Sequence, residues 1–363
     1  MQRKKSFFKS LFLVLIILIL LGFAWYMNGG SFGIDRQGGD IQITQGVKHA
    51  IPLEDIVDRG AGKDSIPSID NPKFESVTEA DNNLEDSDQV VGVIIEEVAR
   101  AYPMQYLKWH EVINDKTSNT PIAITYSPLT GTTNVFVRKV NKQLISFGVS
   151  GKFYNNNNLL YDRFSQSLWT QLNGSGVVGE MTGVTLDQVQ NFVFTWGKWK
   201  THYPDSKIMS RDTSYFRSYN IDPYYEYSQI DSVYFPVAYE DKRIFAKKIV
   251  YGVGDNSKYQ AYTEENLQKQ GVVNGEVGDL KYVLIWDTDR GILRAYDRVL
   301  EDGRELEIEK KADKYYDNES AQWSLEGRGI SKNNSDLSLQ TIFPTRTFWF
   351  SWVAFYSNTE VFI

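Results

Sequence analysis

The chain has 363 residues, of which 42% are hydrophobic, so it is long enough for two domains and apolar enough to form a packed core. Its 46 acidic and 39 basic residues give a formal net charge of -7. This balance argues against a nucleic-acid-binding protein, because such proteins need a basic surface. The chain contains no cysteine, which excludes disulfides, thiolate metal sites and cysteine nucleophiles.

The N-terminal residues predict a membrane anchor. Residues 1–10 form a basic flank without acids, and residues 11–27 contain no charged side chain. A helix over residues 11–27 would be about 25 Å long, with Trp25 and Tyr26 where an interfacial aromatic belt belongs. The basic flank favours a cytoplasmic N-terminus, so we expect a single-pass signal-anchor in the cell membrane and an extracytoplasmic main domain. The alternative is a cleaved signal peptide, although only residues 29–31 resemble a cleavage site.

An internal repeat predicts two similar subdomains. Residues 28–45 are rich in Gly and Gln and predict a tether. Beyond them, identical residues recur at a spacing of 160. In the first copy these residues are Gly92, Val93, Ala101, Tyr102, Leu107, Val112, Asn114, Gly131 and Arg138. We expect a first subdomain over residues 46–215, a Tyr-rich connection over residues 216–245 and a second subdomain over residues 246–363.

Short β-branched and aromatic segments separated by turn residues predict an α+β fold that is rich in strands. Strands are expected at residues 90–95, 122–126, 134–140 and 144–149. Residues 155–158 are four asparagines and predict a polar loop, whereas residues 185–194 fit either a helix or a strand. Residues 348–356 are strongly apolar but too few to span a bilayer, so we expect a buried closing segment.

The repeat also serves as an internal control, because a residue that differs between the copies is not demanded by the shared fold. The sharpest difference is the Trp-His-Glu string at residues 109–111. The equivalent positions of the second copy, residues 269–271, hold Lys-Gln-Gly. His110 would serve as a general base or a metal ligand near neutral pH, with Trp109 and Glu111 contacting the ligand. The alternative is that His110 bonds a buried carbonyl and braces a loop.

Candidates for a nucleophile and an orienting carboxylate accompany His110. Ser127 would form a nucleophile–base pair with His110, and Asp115 would lie nearby if the segment turns. The chain lacks the Gly-x-Ser-x-Gly elbow of many hydrolases. The alternative is that Ser127 and Thr130 cap a tight turn before Gly131.

Four further residues of the first copy are candidates for ligand binding, namely Tyr126, Thr130, Asp162 and Arg163. Asp162 recurs as Asp317 in the second copy, which favours a role in the fold. The position equivalent to Arg163 in the second copy holds the uncharged Asn318. A basic residue present in one copy alone suits an anion or carboxylate clamp, although a surface salt bridge is the commoner role of such a residue.

The residues leave the cofactor unknown. The chain has no nucleotide-binding loop and no His-Glu-x-x-His motif. Three histidines and no cysteine exclude a tetrahedral site built from nitrogen and sulfur ligands alone. A His-plus-carboxylate metal site, or an all-oxygen site using Asp115 and Asp162, remains open.

A series of specific motifs runs along the chain after the tether. They include Arg-Ala-Tyr-Pro at residues 100–103, Trp-His-Glu-Val-Ile-Asn-Asp at 109–115 and Thr-Tyr-Ser-Pro-Leu-Thr-Gly at 125–131. With these motifs, nearly all of residues 46–363 resembles a bacterial family known only as domain of unknown function 3179. The resemblance implies an exported protein and no established reaction. Many relatives carry Cys-Pro-x-Cys-Gly at the place of residues 127–131. The resemblance therefore implies that a thiol-dependent function of the relatives is absent from this chain, or that their function never depended on those thiols.

Together these features predict a membrane-anchored, extracytoplasmic protein whose first copy carries a site around His110. We expect a binding module of the cell envelope, because the sequence shows no complete set of catalytic residues. Its ligand would be a metal ion or an anionic or sugar-like molecule. The alternative is an extracytoplasmic hydrolase with His110 as general base. Apart from the membrane itself, the residues identify neither a ligand nor a partner protein.

Overall fold

The computed structural model describes residues 40–255, 257–330 and 336–363. The predicted basic flank, the predicted membrane anchor and most of the predicted tether lie outside these residues. In the described part of the chain, no helix is long and apolar enough to cross a membrane. Contacts unite the described residues in one compact unit.

Strands dominate the structure and the helices are short, so the fold is α+β and β-rich, as the sequence predicts. Helices this short are not stable alone and depend on packing against the sheets. They are α1 (Val77–Ala80), α2 (Met104–His110), α3 (Trp196–His202), α4 (Tyr225–Gln229), α5 (Glu264–Gln270) and α6 (Trp349–Phe355), with a 3-10 turn at Leu53–Asp55.

The first half, residues 40–215, contains three sheets and a short hairpin. The seven-stranded sheet has the spatial order Gln42–Thr44, Val47–His49, Gly176–Val178, Leu168–Thr170, Asn157–Asp162, Phe147–Tyr154 and Val57–Asp58. One five-stranded sheet has the order Gln188–Val189, Thr132–Val137, Thr120–Ser127, Val112–Thr117 and Ile69–Asp70. The other has the order Asn191–Thr195, Gln89–Ile95, Val98–Pro103, Lys207–Met209 and Phe74–Ser76. The hairpin pairs Lys139–Val140 with Gln143–Leu144.

The second half, residues 246–363, contains three further sheets. The four-stranded sheet has the order Thr345–Phe348, Ile249–Gly254, Tyr259–Thr263 and Thr359–Phe362. The three-stranded sheet has the order Val272–Val277, Leu280–Asp287 and Ile292–Asp297. The five-stranded sheet has the order Glu309–Lys311, Lys314–Tyr316, Gln322–Trp323, Arg328–Ile330 and Asp336–Ser338.

Four consecutive elements of the two halves have matching bounds at a spacing of 160 residues. In the first half they are α2, Val112–Thr117, Thr120–Ser127 and Thr132–Val137, and in the second half they are α5, Val272–Val277, Leu280–Asp287 and Ile292–Asp297. The strand registers match as well, because Val112 pairs with Thr125 as Val272 pairs with Ile285.

Each half packs a tryptophan of a short helix directly against a glycine. Trp199 of α3 lies on Gly92, and Trp352 of α6 lies on Gly252. A Cβ atom would lie 2.2 Å from the Trp199 ring at Gly92 and 2.4 Å from the Trp352 ring at Gly252. Only glycine therefore permits this approach. α6 falls within the apolar segment 348–356, which is buried as predicted.

The halves exchange similar contacts at their junction. The backbone N–H of Phe348 donates to the carbonyl of Thr130, at 2.8 Å, in the turn that ends at Gly131. The Nζ atom of Lys198 donates to the carbonyl of Thr288, also at 2.8 Å, in the matching turn of the second half. Each tight turn of one half thus contacts the other half.

One predicted element differs in the structure, and one that the sequence left open is a strand. Residues 155–158 are not an exposed polar loop, because the last two open the strand Asn157–Asp162 and all four side chains are buried. Residues 185–194, which fitted either a helix or a strand, contain the strand Gln188–Val189 and most of the strand Asn191–Thr195.

Distant backbone groups explain the burial of the asparagines. Asn155 and Asn156 form a turn with φ of 51° and 60°, a region that asparagine tolerates better than most residues. The Asn155 side chain donates to the carbonyl of Ala354 and accepts from the N–H of Ala238. Asn156 bonds both backbone groups of Phe235. These side chains hold the connection and the C-terminal helix to the first half.

Candidate functional site

His110 is the last residue of α2 and is fully buried. Its Nδ1 atom lies 2.7 Å from the carbonyl oxygen of Pro67, and its Nε2 atom lies 2.7 Å from the Tyr219 hydroxyl. Because a carbonyl only accepts, Nδ1 carries the proton and Nε2 accepts from Tyr219. Burial lowers the pKa of the imidazole, which favours this neutral form. Both nitrogens are therefore occupied, which is the arrangement expected of a brace.

Asp115 has partners of its own. Its Oδ2 atom accepts from Arg100 at 2.6 Å and from the Tyr102 hydroxyl at 2.6 Å. Burial, followed by the charge of Asp115, raises the pKa of the Tyr102 hydroxyl, so Tyr102 remains a donor. Asp115 belongs to this ion pair, and the His110 ring is turned to other partners.

The hydroxyls of Ser127 and Thr130 lie in a buried network. Ser127 Oγ accepts from the backbone N–H of Asn158 at 3.3 Å. Thr130 Oγ1 donates to the carbonyl of Ser127 at 3.3 Å and accepts from Asn157 Nδ2 at 3.1 Å. Since both His110 nitrogens are engaged elsewhere, the structure pairs neither hydroxyl with the imidazole. The arrangement is that of a hydroxyl-capped turn.

Asp162 has the same role as its counterpart in the second half. The indole Nε1–H of Trp169 donates to Asp162 at 2.9 Å, and that of Trp323 donates to Asp317 at 2.9 Å. All four residues are buried. The carboxylates therefore serve the fold of each half.

Arg163 and Trp109 are held by contacts at the edge of the first half. Arg163 donates to Asp70 at 2.6 Å and to Ser68 Oγ at 2.7 Å, which is the salt-bridge arrangement. Trp109 is half-buried, and its Nε1–H donates to the carbonyl of Ile221 at 3.1 Å. Neither residue lines a cavity described below.

Glu111 ends α2 with φ of 59°, a left-handed conformation that favours glycine. Its counterpart Gly271 ends α5 with φ of 72°. The carbonyls accept from the N–H of Tyr126 and of Trp286 respectively, both at 2.8 Å. A Cβ atom at Gly271 would meet nothing within 4 Å, so the fold requires no side chain at this position. The carboxyl of Glu111 is therefore an addition specific to the first half.

The carboxyl group of Glu111 is only 1% exposed. It accepts from Asn158 Nδ2 at 2.8 Å and from the Tyr224 hydroxyl at 3.3 Å. Burial raises the pKa of this carboxyl to about 7, against the lowering effect of Arg59. The Oδ1 atom of Asn158 is buried and has no hydrogen-bond partner among the described residues. This cluster differs from the site predicted around His110, although it includes Glu111 and adjoins Tyr126.

The Tyr-rich connection covers the Glu111 cluster. Asp222 accepts from Lys108 of α2 at 2.5 Å, and the Tyr227 hydroxyl donates to the carbonyl of Leu129 at 3.0 Å. With Tyr224 on Glu111, these contacts place the connection over the end of α2. The cluster is thereby closed from solvent.

A cleft of about 390 Å³ lies at the junction of the halves. Its lining includes Thr195 and Lys198 of the first half and Tyr251, Trp286 and Arg346 of the second. A smaller cavity of about 50 Å³ adjoins it and shares Tyr251 and Arg346. Sequence reasoning missed the cleft, because the comparison of the copies treats each half separately.

Arg346 connects the cleft to the Tyr126 side of the junction. The Arg346 guanidinium and the Glu264 carboxylate both interact with Tyr251. The guanidinium also lies within electrostatic reach of Tyr126. The rings of Tyr251 and Trp286 meet edge to face, with centroids 6.3 Å apart. The cleft thus combines an aromatic wall with charged groups.

Within the described ranges, no three or more His, Asp or Glu side chains are grouped so that they could hold a metal ion. A second cleft of about 390 Å³ is lined by one half alone, around Lys258, Glu276 and Glu360. The junction cleft is thus distinguished from it by the contribution of both halves.

Comparisons with known proteins place the chain in a family. A family model described as a protein of unknown function, DUF3179, matches residues 63–359. Searches of curated proteins and of solved structures found no match. The matched residues include both halves and the connection between them. The chain therefore belongs to the DUF3179 family of proteins of unknown function.

Proposed function

We propose that this chain is a membrane-anchored, extracytoplasmic binding protein of the cell envelope, and that its ligand binds in the junction cleft. The cleft carries this proposal, because its volume lies within the range of small-molecule sites and polar groups converge on its aromatic wall. The uncharged segment at residues 11–27 supports the anchor, and the basic flank at residues 1–10 supports a cytoplasmic N-terminus.

We also propose that the halves arose by tandem duplication. The matching bounds of four consecutive elements support this, as do the paired Trp–Gly contacts and the paired Asp–Trp hydrogen bonds. A junction between two such copies forms a concave surface to which both contribute. Binding sites occur preferentially at boundaries of this kind.

Binding is favoured over hydrolysis by the contacts of His110. A general base must reach the proton that it removes. Both nitrogens of His110 are occupied by Pro67 and Tyr219, and Asp115 is paired with Arg100. The hydrolase alternative therefore gains no support from this geometry.

The binding proposal is tested by blocking the cleft. The full-length chain, purified in detergent, is titrated by calorimetry with soluble envelope saccharides, sugar acids and sugar phosphates. Gln268 lines the cleft on α5 and is exposed, so Gln268→Trp fills the cleft without disturbing the core. We expect this variant to bind at least ten-fold more weakly than the wild type.

Gln270→Trp is the matched control, because Gln270 is an exposed glutamine of the same helix that does not line the cleft. It should bind as the wild type does. Equal affinity of the Gln268→Trp variant and the wild type would rule out the cleft as the binding site.

The absence of cysteine makes the proposed topology directly testable. Phe216 is fully exposed, so Phe216→Cys provides a single reactive thiol in the main domain. A membrane-impermeant maleimide applied to intact cells should label Phe216→Cys and leave Gln2→Cys unlabelled until the cells are lysed. Labelling of Gln2→Cys alone in intact cells would invert the proposed topology.

A further inference from the structure

The charge of the junction cleft is opposite to that of the protein. The chain has a formal net charge of -7, whereas the charged side chains of the cleft are Arg346 and Lys198 against the single acid Glu264. A concave region of positive charge on an acidic protein concentrates anions. The cleft is therefore electrostatically suited to a negatively charged ligand.

Arg346 differs from Arg294 and Arg298 in its direct ion pairing within the described part of the chain. Arg294 lies 3.6 Å from Asp287, and Arg298 lies 3.0 Å from Glu307. Among the described residues, no carboxylate lies within 4 Å of the half-buried Arg346 guanidinium. The acid Glu264 reaches Arg346 only through the Tyr251 hydroxyl, which both side chains contact. An anionic ligand would supply a direct counterion to this partly desolvated cation.

The surroundings of Arg346 leave donors for a ligand. A guanidinium has five N–H donors in a planar fork, of which Tyr251 engages only part. Such a fork binds both oxygens of a carboxylate or phosphate at once. Lys198 bonds the carbonyl of Thr288 and brings its charge into the cleft from the first half. Within the described ranges it forms no ion pair with a carboxylate.

We propose that the ligand is a small anion, and that its carboxylate or phosphate group binds Arg346 while Lys198 supplies a second positive charge. This rests on the proposed binding function and identifies the ligand chemistry of the same cleft. The remaining walls suit a polar body, because Gln268 and Thr195 offer hydrogen bonds beside the rings of Tyr251 and Trp286. The ligand class that fits is an acidic saccharide.

The test uses the full-length chain in detergent and four probes of matched size. They are a glucuronate-containing disaccharide, its methyl ester, the neutral glucose disaccharide and a disaccharide phosphate. By calorimetry, we expect the glucuronate or the phosphate to bind at least ten-fold more tightly than the ester and the neutral sugar. The tighter of the two acids identifies the anionic group.

Variants then assign the charge. Arg346→Gln should weaken binding of the preferred acid at least ten-fold, and Arg346→Lys should restore only part of it, because lysine keeps the charge and loses the fork. Lys198→Gln should weaken binding less. Arg328→Gln, at an exposed arginine that does not line the cleft, should leave binding unchanged. Lys198→Gln keeps the test valid if the Arg346 variants do not fold.

Three results would overturn the anion proposal, and each can be told from the others. The acid, the ester and the neutral sugar could bind equally well, with all binding abolished by Gln268→Trp. This result would support the binding function and contradict the preference for an anion. No binding of any of the four probes would overturn both. Wild-type affinity in Arg346→Gln and Lys198→Gln would likewise remove the assigned charges.

Discussion

Glu111 and Gly271 occupy equivalent positions at the ends of α2 and α5, with φ of 59° and 72°. Each accepts a hydrogen bond through its carbonyl from the following sheet, at 2.8 Å. Glycine adopts this conformation freely, whereas other residues pay about 1 kcal/mol for it. The first half thus keeps a buried carboxyl at a backbone position that favours glycine.

We predict that Gly271→Ala lowers the free energy of unfolding by about 1 kcal/mol. A Cβ atom there meets no neighbour within 4 Å, so the loss comes from the positive φ alone. Urea unfolding followed by tryptophan fluorescence measures it. Gln270→Ala, one residue earlier in the helix, is the control and should cost less than 0.5 kcal/mol, roughly. If the urea midpoint of Gly271→Ala equalled that of the wild type, the positive φ at this position would impose no strain on alanine.

Glu111 should make the stability of the protein depend on pH. Its folded pKa of about 7 lies above the ordinary value of 4.5, so the folded state holds this proton more tightly than the unfolded state does. The associated stability is fully present below pH 4.5 and is lost as the pH rises through 7. The loss amounts to about 3 kcal/mol.

Glu111→Gln tests this, because glutamine has no proton to release. From pH 5 to pH 8, the free energy of unfolding of the variant should rise relative to the wild type, by about 3 kcal/mol in all. Glu97→Gln, at an exposed glutamate, should show no such trend. A constant difference between Glu111→Gln and the wild type would show that the carboxyl is ionised throughout.

His110→Ala should lower the free energy of unfolding by about 3 kcal/mol. The substitution leaves a cavity and removes the partners of the Pro67 carbonyl and the Tyr219 hydroxyl. His202→Ala is the comparison, because His202 is half-buried and lies 3.4 Å from Asp289 at the surface; its cost should be below about 1 kcal/mol. If His110→Ala were as stable as the wild type, His110 would not be a structural brace and would again be a candidate for ligand contact.

Asp162→Asn and Asp317→Asn should lower the free energy of unfolding by similar amounts, about 2 kcal/mol each. In both cases a buried indole N–H loses a carboxyl oxygen acceptor at 2.9 Å. Asp313→Asn, at an exposed position, should have little effect. Thermal and urea unfolding of the three variants measure these effects. If only one of the two buried aspartates mattered for stability, Asp162 and Asp317 would not have the same role in their halves.

Comparison of the copies directed attention to residues 109–111, and the structure separates their roles. His110 bonds Pro67 and Tyr219, which lie 43 and 109 residues away, so no local pattern reveals that it is fully occupied. Glu111 differs from its glycine counterpart, and this one difference already indicated a residue that the fold does not need. Its partners Asn158 and Tyr224 lie in segments for which the sequence predicts a loop and a connection, because sequence does not show which polar side chains become buried.

The sequence alone determined the family, the β-rich α+β class, the spacing of 160 residues and the apolar closing segment, because local composition and periodicity express these properties. Tertiary structure alone decided which polar groups meet. Four asparagines look like a loop until backbone groups far along the chain satisfy them. Arg346 and Lys198 share a cleft only because the two halves pack together. Hydrogen bonds and charges act over a few ångströms in space, and the distance along the chain does not limit them.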